Sequence, residues 1–465
     1  MKRAYLCAAG VAIALLSAAD VALAEKIKEI VVDENTKTSD DTVMLIADIE
    51  TGDDWEDTMA DELKVRLISS ELFKSVSVFS EPMLGGVRVT ILAKDKHSWI
   101  IAPTFYNQPG NQGGGLGFAE ANLFGENKKL LLYGQYATAD TFFLGGYIDP
   151  SIRGTRFKWQ VDTFLRSEDV TEYTIPGGIS DSAIRPVRTS NLRYLNGGLK
   201  VGFRLFRAFS LDVRLRGAHV KWSDAVLEPG VTCADVVHPE DTSNEAQKCD
   251  EATRVAPRPG RNGLDISSEY ILQIDRRANW FGIQTGNRYK LSFERAEPAL
   301  GSVFEYWYAG FGGFFGSKGH LFTNDNLILK LNFGLGKDMP MQQEYTAGGV
   351  NLRGFRNREF RGDFRVKTNI EYSVPLFTFW SLSYRALAFY DAAYTDFLDR
   401  DIQRDSFRRY LPDPADDFAP FRNGIGGGIR IYFRSVVVPL LGFDVGYGLP
   451  GGEIRTYFAV GLTEL

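Results

Sequence analysis

Side chains that could form a catalytic site are scarce in this sequence and poorly placed for one. The four histidines are His97, His219, His238 and His320. None of them stands near a serine in a recognisable nucleophile setting, and a serine nucleophile needs an adjacent base. We therefore expect no enzymatic activity, no catalytic residue and no cofactor.

Two cysteines, Cys233 and Cys249, lie in one stretch of the chain, residues 224–262. In an oxidising compartment they would most simply form a disulfide, and such bonds are typical of exported proteins. The alternative is a metal site with His238, which would have two soft ligands but no obvious fourth ligand. We predict the disulfide and no metal.

The N-terminus has the features of an export signal. Lys2 and Arg3 precede an apolar stretch near residues 8–19, and residues 22–24 offer small side chains for cleavage before Glu25. The alternative is an N-terminal membrane anchor, for which the stretch is short. We predict that residues 1–24 are a signal peptide.

Charge and hydropathy argue against two classes of protein. The 53 Lys and Arg residues are outnumbered by 59 Asp and Glu residues, which gives a net charge of −6, and no block of basic residues appears. This argues against nucleic acid as a partner. After residue 24 there is no run of about 18 apolar residues, which excludes helical membrane spans. The abundance of Gly (47), Phe (33) and Tyr (20) is typical of strands with aromatic girdles.

Apolar and polar residues alternate with a period of two from Trp99 to near the C-terminus. Leu211 and Val213, for example, share one face of a strand, whereas Asp212 and Arg214 share the other. The pattern predicts sixteen strands, near 99–106, 114–122, 127–137, 141–149, 154–166, 191–206, 209–223, 263–275, 285–297, 302–315, 322–333, 364–375, 381–391, 424–434, 440–448 and 454–463.

The connections between these strands alternate between short and long. The four longest, 167–190, 224–262, 334–363 and 392–423, all follow an odd-numbered strand. A closed antiparallel barrel across a bacterial outer membrane needs an even strand number, tight periplasmic turns and longer outer loops. A sandwich also alternates, but it has no reason to sort its loops in this way. We therefore predict a 16-stranded antiparallel transmembrane β-barrel over residues 98–465, with a water-filled lumen.

Residues 25–97 follow a different pattern. Their elements are predicted as strand, helix, helix, strand and strand, at 26–33, 39–48, 55–71, 75–80 and 86–93. A unit of this size is small but can bury a core. The chain is thus predicted to be mostly β, with one small α+β (β-α-α-β-β) domain before the barrel.

Here the sequence resembles a known family. The order of these elements and the string SELFKSV at residues 70–76 resemble a POTRA domain. This domain is the periplasmic repeat of the BamA/TamA/Sam family of outer-membrane assembly and translocation proteins. The start of the barrel is also similar to that family, in GFAEANLFG at 117–125 and YIDP at 147–150. The resemblance covers essentially the whole mature chain, and it implies a barrel in the bacterial outer membrane with the POTRA-like domain in the periplasm.

The most specific match is GGVNLRGF at residues 348–355, in the long loop between strands eleven and twelve. It resembles the (V/L)RGF motif of the family, which occupies the same connection and folds back into the lumen. The motif residues here are Leu352, Arg353, Gly354 and Phe355. Taken without its context, Arg353 is better explained as an ordinary surface-loop arginine that follows a turn glycine.

In the family, the motif arginine contacts acids on the inner walls of the next two strands, and the matching positions here are Glu371 and Asp391. The alternation supports this independently, because Glu371 shares a face with Lys367 and Asp391 shares one with Arg385. An arginine beside two carboxylates in a lumen can make bidentate, charge-assisted hydrogen bonds that pin a loop. Asp444 also faces inward by parity and is a further candidate partner.

The resemblance implies that the protein handles other polypeptides, and open strand edges are the physical route. A POTRA edge strand can accept an extended segment by β-augmentation, and the seam between the first and last barrel strands can part. Pro103 removes a hydrogen-bond donor from the first strand, and Gly461 would bend the last one. Both residues fit a weakly bonded seam, although a proline near an ordinary strand end explains Pro103 equally well.

The expected partners are outer-membrane lipids and unfolded or extended client polypeptides. Periplasmic or lipoprotein accessory factors are further candidate partners, and the barrel is expected to be a monomer. Two other functions compete with this interpretation. One is a passive outer-membrane channel whose conductance is insensitive to Arg353. The other is a surface antigen that handles no cargo and whose working part is the loop 224–262.

Overall fold

The structure is a computed structural model of the chain. It describes residues 25–70, 72–152, 155–174, 185–206, 208–224, 226–231, 262–280, 283–319, 321–380, 382–398, 421–433, 439–449 and 452–460. These residues form two compact units: residues 25–98 with 121–127, and residues 99–120 with the described residues from 128 onward. Within the described ranges, no helix combines the length and the apolar character needed to cross a membrane.

The first unit is an α+β region. Its elements are β1 (Glu25–Asp33), α1 (Asp40–Ala47), β2 (Asp54–Trp55), α2 (Thr58–Ser69), β3 (Phe73–Met83) and β4 (Gly86–Asp95). The sheet order is β2-β1-β4-β3, with β1 and β4 parallel and β3 and β4 antiparallel. Val43 of α1 and Leu63 and Leu67 of α2 are fully buried in one cluster with Ile27 and Ile91 of the sheet. The apolar faces of the two helices therefore cover the sheet.

The second helix begins later than the predicted range of 55–71. Trp55 lies in the short strand β2, where it is the register partner of Glu25 in β1. Its side chain is buried in the core of the unit. A two-residue strand carries no periodic signal, so the apolar spacing that includes Trp55 extended the predicted helix by about one turn.

The second unit is a closed barrel built from sixteen long strands, as the sequence predicted. Every barrel pairing with a described register is antiparallel. Its strands, with four short strands in the connections, are β5 (Trp99–Gln108), β6 (Asn111–Leu123), β7 (Lys128–Ala137), β8 (Asp140–Asp149), β9 (Phe157–Thr174), β10 (Arg185–Phe206), β11 (Phe209–Trp222), β12 (Val226–Leu227), β13 (Gly263–Asp275), β14 (Ala278–Trp280), β15 (Ile283–Ala296), β16 (Trp307–Lys318), β17 (Asn326–Lys337), β18 (Tyr345–Ala347), β19 (Phe360–Gly362), β20 (Phe364–Phe379), β21 (Leu382–Asp396), β22 (Arg422–Phe433), β23 (Pro439–Leu449) and β24 (Ile454–Val460).

The barrel has its polar residues inside and its apolar residues outside. In β11, Leu211 and Leu215 are 45% and 49% exposed. The residues that follow them, Asp212 and Arg216, are only 5% and 6% exposed. Arg216 pairs with Glu294 on the inner wall, with 2.7 Å between Nη2 and Oε1. A sandwich would bury its apolar face, so the burial pattern separates the two architectures that alternation alone could not.

Strands β9 and β10 extend into the region predicted as the loop 167–190. β9 continues to Thr174, and β10 begins at Arg185. Polar cross-strand pairs support the extension: Arg188 Nε lies 2.6 Å from Glu172 Oε2, and the hydroxyls of Thr171 and Thr189 are 2.8 Å apart. The prediction was wrong here because this part of the hairpin lacks the apolar face that marks a membrane-type strand.

Two predicted strands are displaced along the chain. Residues 302–315 were expected as a strand, but β16 begins at Trp307. A 3-10 turn at Pro298–Leu300 ends in the left-handed Gly301, at φ 98°, and the Ser302 hydroxyl then accepts the backbone N–H of Phe304 at 3.2 Å. The strand predicted at 322–333 begins at Asn326, because the Asp325 carboxylate accepts the backbone N–H groups of Leu321 and Phe322 at 3.1 Å. Tight turns with their own aromatic residues imitate the alternation of a strand.

Candidate functional site: an arginine clasp inside the barrel

The connection between the eleventh and twelfth barrel strands, β17 and β20, folds against the inner wall. Its strands β18 and β19 pair with each other, and the Tyr345 hydroxyl donates to the Ala309 carbonyl of β16 at 2.9 Å. Met339, Leu352 and Phe355 are at most 1% exposed. Phe355 packs edge-on against Phe360, with 5.2 Å between ring centroids. An apolar core of its own therefore holds this loop in the lumen.

Arg353 projects from that loop into a group of carboxylates on three barrel strands, an arrangement that we call the clasp. Its Nε and Nη2 donate to both oxygens of Asp391 in β21, at 2.7 and 2.8 Å. Its Nη1 lies 2.9 Å from Asp444 Oδ2 in β23, and its Nη2 lies 2.9 Å from Glu371 Oε1 in β20. The guanidinium carbon also lies 3.4 Å from the ring centroid of Phe389. Each of the three guanidinium nitrogens therefore has a carboxylate partner.

Charge compensation in the clasp involves two further side chains. Arg430 of β22 donates through Nη2 to Asp444 Oδ2 at 2.8 Å, so this carboxylate lies between two arginines. Asn369 Nδ2 donates to Asp391 Oδ1 at 2.9 Å. Asp391 and Asp444 are 0% exposed and Arg353 is 2% exposed. Buried charges are tolerated when they are paired and hydrogen-bonded, as these are.

Gly354 joins the loop to the last barrel strand. Its N–H donates to the Tyr457 hydroxyl of β24 at 2.9 Å, and that hydroxyl donates in turn to the Phe355 carbonyl at 3.1 Å. Gly354 has φ 100°, and a Cβ at this position would lie 2.3 Å from the backbone nitrogen of Gly448. The position therefore requires glycine for its backbone conformation and for its close approach to β23.

The clasp can hold a loop, because its carboxylates accept hydrogen bonds from arginine and asparagine. Among the residues that the structure describes, no group of three or more His, Cys, Asp or Glu side chains is placed to hold a metal ion.

The structure brings together the motif residues Leu352, Arg353, Gly354 and Phe355 and all three acids named from the sequence, Glu371, Asp391 and Asp444. What these contacts do for the protein stays a prediction.

The residues named for the seam are only partly described. Pro103 lies in β5, exposed on the outward face and opposite Leu116 of β6. Gly461, both residues of the predicted disulfide, Cys233 and Cys249, and the predicted signal peptide at 1–24 lie outside the described residues.

Sequence reasoning missed Arg430, Tyr457 and a second arginine of the loop, Arg358. Arg358 Nη1 donates to Glu168 of β9, a residue that the sequence assigned to a loop. Arg430 does show a signal, because it lies on the polar face of its strand. Tyr457 and Arg358 show none, since their partners are far away in sequence.

Comparisons with known proteins agree with this architecture. The Omp85 superfamily domain matches residues 122–460. A search of curated proteins finds no match. Among solved structures, the chain is similar to BamA from Haemophilus ducreyi lacking POTRA domains 1-3, with 17% identity and a TM-score of 0.60 over 94% of this chain and 84% of that one.

CdiB from Escherichia coli is similar at 13% identity and a TM-score of 0.60, over 94% of this chain and 77% of that one. CdiB from Acinetobacter baumannii has 13% identity and a TM-score of 0.58, over 95% of this chain and 74% of that one. At these identities the structural likeness concerns the fold alone. The family match is independent of it and spans well over half of the chain, so the protein belongs to the Omp85 superfamily.

Proposed function

We propose that this protein is a non-enzymatic outer-membrane barrel that assists the insertion, assembly or translocation of other polypeptides. The observation that carries the proposal is the clasp: a loop held in the lumen by Arg353 against Glu371, Asp391 and Asp444. A loop in the lumen narrows the path of solutes, which disfavours a freely conducting channel. A machine that must keep one part of its wall rigid while another part opens does gain from it.

Membrane placement is supported by the outward apolar belt, to which side chains such as Leu199, Leu215 and Leu291 contribute with 47% to 51% exposure. Transmembrane barrels show this alternation of lipid-facing apolar and lumen-facing polar residues. In the proposal, residues 1–24 direct export, residues 25–97 form a POTRA-like domain in the periplasm, and residues 98–465 form the barrel as a monomer. Periplasmic or lipoprotein accessory factors would act on the periplasmic domain.

Clients would first meet the sheet of the α+β region. In the order β2-β1-β4-β3, strand β3 lies at one edge and pairs only with β4 among the described strands. An edge strand offers a row of backbone donors and acceptors to an extended peptide. Because the bonds come from the backbone, such a site accepts many client sequences, as an assembly factor requires.

The proposed exit is the seam between β5 and β24. Their described pairing joins residues 105–107 to residues 458–460. By comparison, β5 pairs with β6 along its whole length, and β23 pairs with β24 from 441–447 to 454–460. Pro103 lies two residues before this pairing in β5, and it has no backbone N–H to donate across the seam. Meanwhile Tyr457 ties β24 to the lumen loop, so we infer that β24 stays with the loop and β5 moves.

A disulfide across the seam tests the proposal. Asn107 and Phe458 are register partners, as are Phe443 and Phe458 one strand away. Antiparallel partners have Cα atoms about 4.5–5.5 Å apart, within the range of a disulfide. The variant Asn107→Cys with Phe458→Cys closes the seam. The matched control, Phe443→Cys with Phe458→Cys, staples two strands that need not separate, and both are made with Cys233→Ser and Cys249→Ser.

Cells that depend on each variant are assayed for the folded yield of outer-membrane barrels and for secreted polypeptides. We expect the oxidised seam variant to lose this activity and to regain it under reductant, while the control stays active in both states. Full activity of the oxidised seam variant would refute lateral opening. Unchanged yields of client proteins in cells lacking the protein would instead favour the channel or the surface antigen.

A further inference from the structure

Two cations face each other on the outside of the barrel, where the last residues of β11 pair with β10. Arg193 and Lys221 are register partners across these strands, and both side chains are exposed on the outward face. Like charges directly opposite each other destabilise a strand pair. Within the described parts of the chain, neither side chain forms an ion pair. An arrangement of this kind becomes favourable when an anion binds between the two cations.

A groove of about 400 Å³ adjoins this pair on the same outward face. The exposed apolar side chains of Phe143, Leu165 and Leu195 line it, and Arg193 and His219 line its polar edge. Leu195 is the register partner of His219, and Arg193 is the register partner of Ser167. Apolar, hydroxyl and cationic groups therefore follow one another along the strands, from the apolar belt towards the strand ends.

Two other charges on the outward face do have partners. Asp169, one strand from the pair, accepts a hydrogen bond from Asn191 Nδ2 at 2.8 Å. Arg295 of β15 is an outward cation on another part of the wall, and its Nε lies 3.0 Å from Glu297 Oε1. Arg295 thus has a carboxylate partner, whereas Arg193 and Lys221 have none among the described residues.

We propose that Arg193, Lys221 and the groove lined by Phe143, Leu165 and Leu195 bind a phosphate-bearing membrane lipid. The two cations hold the phosphate, with charge-assisted hydrogen bonds from the guanidinium, and an acyl chain lies along the three apolar side chains. The order of groups matches such a lipid, whose anionic head stands at the membrane surface above its apolar tail. The inference rests on the proposed membrane placement but not on client handling.

Lipid binding is tested on the full mature chain in a neutral detergent by native mass spectrometry. The probes are palmitoyl lysophosphatidate, uncharged monopalmitoyl glycerol and inorganic phosphate. We expect the wild type to retain lysophosphatidate in preference to the glycerol lipid and not to retain inorganic phosphate. Because each cation near an anionic membrane surface is worth about five-fold in affinity, the double change Arg193→Gln with Lys221→Gln should weaken retention by roughly 30-fold.

The control Arg295→Gln removes one outward cation that has a carboxylate partner, and it should leave retention unchanged. The exchange Arg193→Lys with Lys221→Arg keeps both charges and should restore most of the binding, even where the double glutamine variant folds poorly. Equal retention of the two lipids by the wild type overturns the proposal. So does unchanged retention in a folded double variant, or self-association of the barrel through this face in place of lipid binding.

Discussion

Arg353 faces a trade-off between desolvation and pairing. Burying one arginine among three carboxylates costs hydration for every group, and the net gain of such a cluster over an apolar core is small. Removing Arg353 is a different matter, because Asp391 would stay buried without its counter-charge and Asp444 would keep only Arg430. The clasp is therefore better explained as a device that selects one position of the loop than as a source of overall stability.

Replacement of Arg353 by alanine is expected to destabilise the folded barrel by about 3–5 kcal/mol, the cost of an uncompensated buried charge. Water that enters the lumen would bring the value towards the lower limit. Arg353→Lys keeps the charge but cannot donate to Asp391 through two nitrogens, so we expect an intermediate loss. Urea unfolding of the barrel in detergent, followed by its heat-modifiable migration, measures both.

Arg277→Ala is the control for this prediction, because it removes an arginine whose ion pair with Asp275 is about one third exposed. Exposed pairs contribute at most about 1 kcal/mol. If Arg353→Ala and Arg277→Ala unfold at the same urea concentration, the clasp has no structural role.

At the scale of elements, the sequence predicts strands better than it predicts their ends. Period-two alternation identified all sixteen long strands, because an outward-facing apolar row and a lumen-facing polar row recur along each of them. It failed at Arg188 and Glu172, where a hairpin continues on polar pairs, and at Asp325, where a turn imitates a strand. Those ends depend on individual side-chain hydrogen bonds, which leave no periodic trace.

The candidate site likewise combines residues that the sequence predicts with a contact that it does not predict. Parity placed Glu371, Asp391 and Asp444 on the inner wall, and the motif supplied the arginine that meets them. The hydrogen bond from Gly354 to Tyr457 could not be predicted, because the two residues are 103 positions apart in the sequence and meet only in the folded barrel. This bond is nevertheless the link between the loop and the strand that closes the barrel.

Tyr457→Phe removes one oxygen from that link. The Gly354 N–H and the Phe355 carbonyl would then lack their partner inside the protein, at a cost of about 1–3 kcal/mol. We expect faster hydrogen exchange at Gly354 and in β24, measured by mass spectrometry. Tyr390→Phe is the matched control, because it deletes an exposed hydroxyl that donates to Asn423. Equal exchange in the two variants would show that the loop does not restrain β24.

At the scale of the whole molecule, the lumen loop reaches two opposite walls. Arg353 binds Asp391 in β21, the thirteenth barrel strand, and Arg358 binds Glu168 in β9, the fifth. In a ring of sixteen strands these two lie half a circumference apart. Arg166 extends the second anchor, because it lies 3.1 Å from Glu168. The residues between Arg353 and Arg358 therefore cross the lumen as a brace.

A brace with two anchors predicts non-additive effects. With either anchor intact, the short segment keeps the other end at high effective concentration, so single changes should hardly widen the lumen. We expect Arg353→Ala and Arg358→Ala each to raise ion conductance in planar bilayers slightly, and the double variant to raise it by more than the sum. A double-mutant cycle isolates that excess, with Arg277→Ala as the control. A wild type that already conducts as freely as the double variant would mean that the loop obstructs nothing, and the protein would then be better described as a channel.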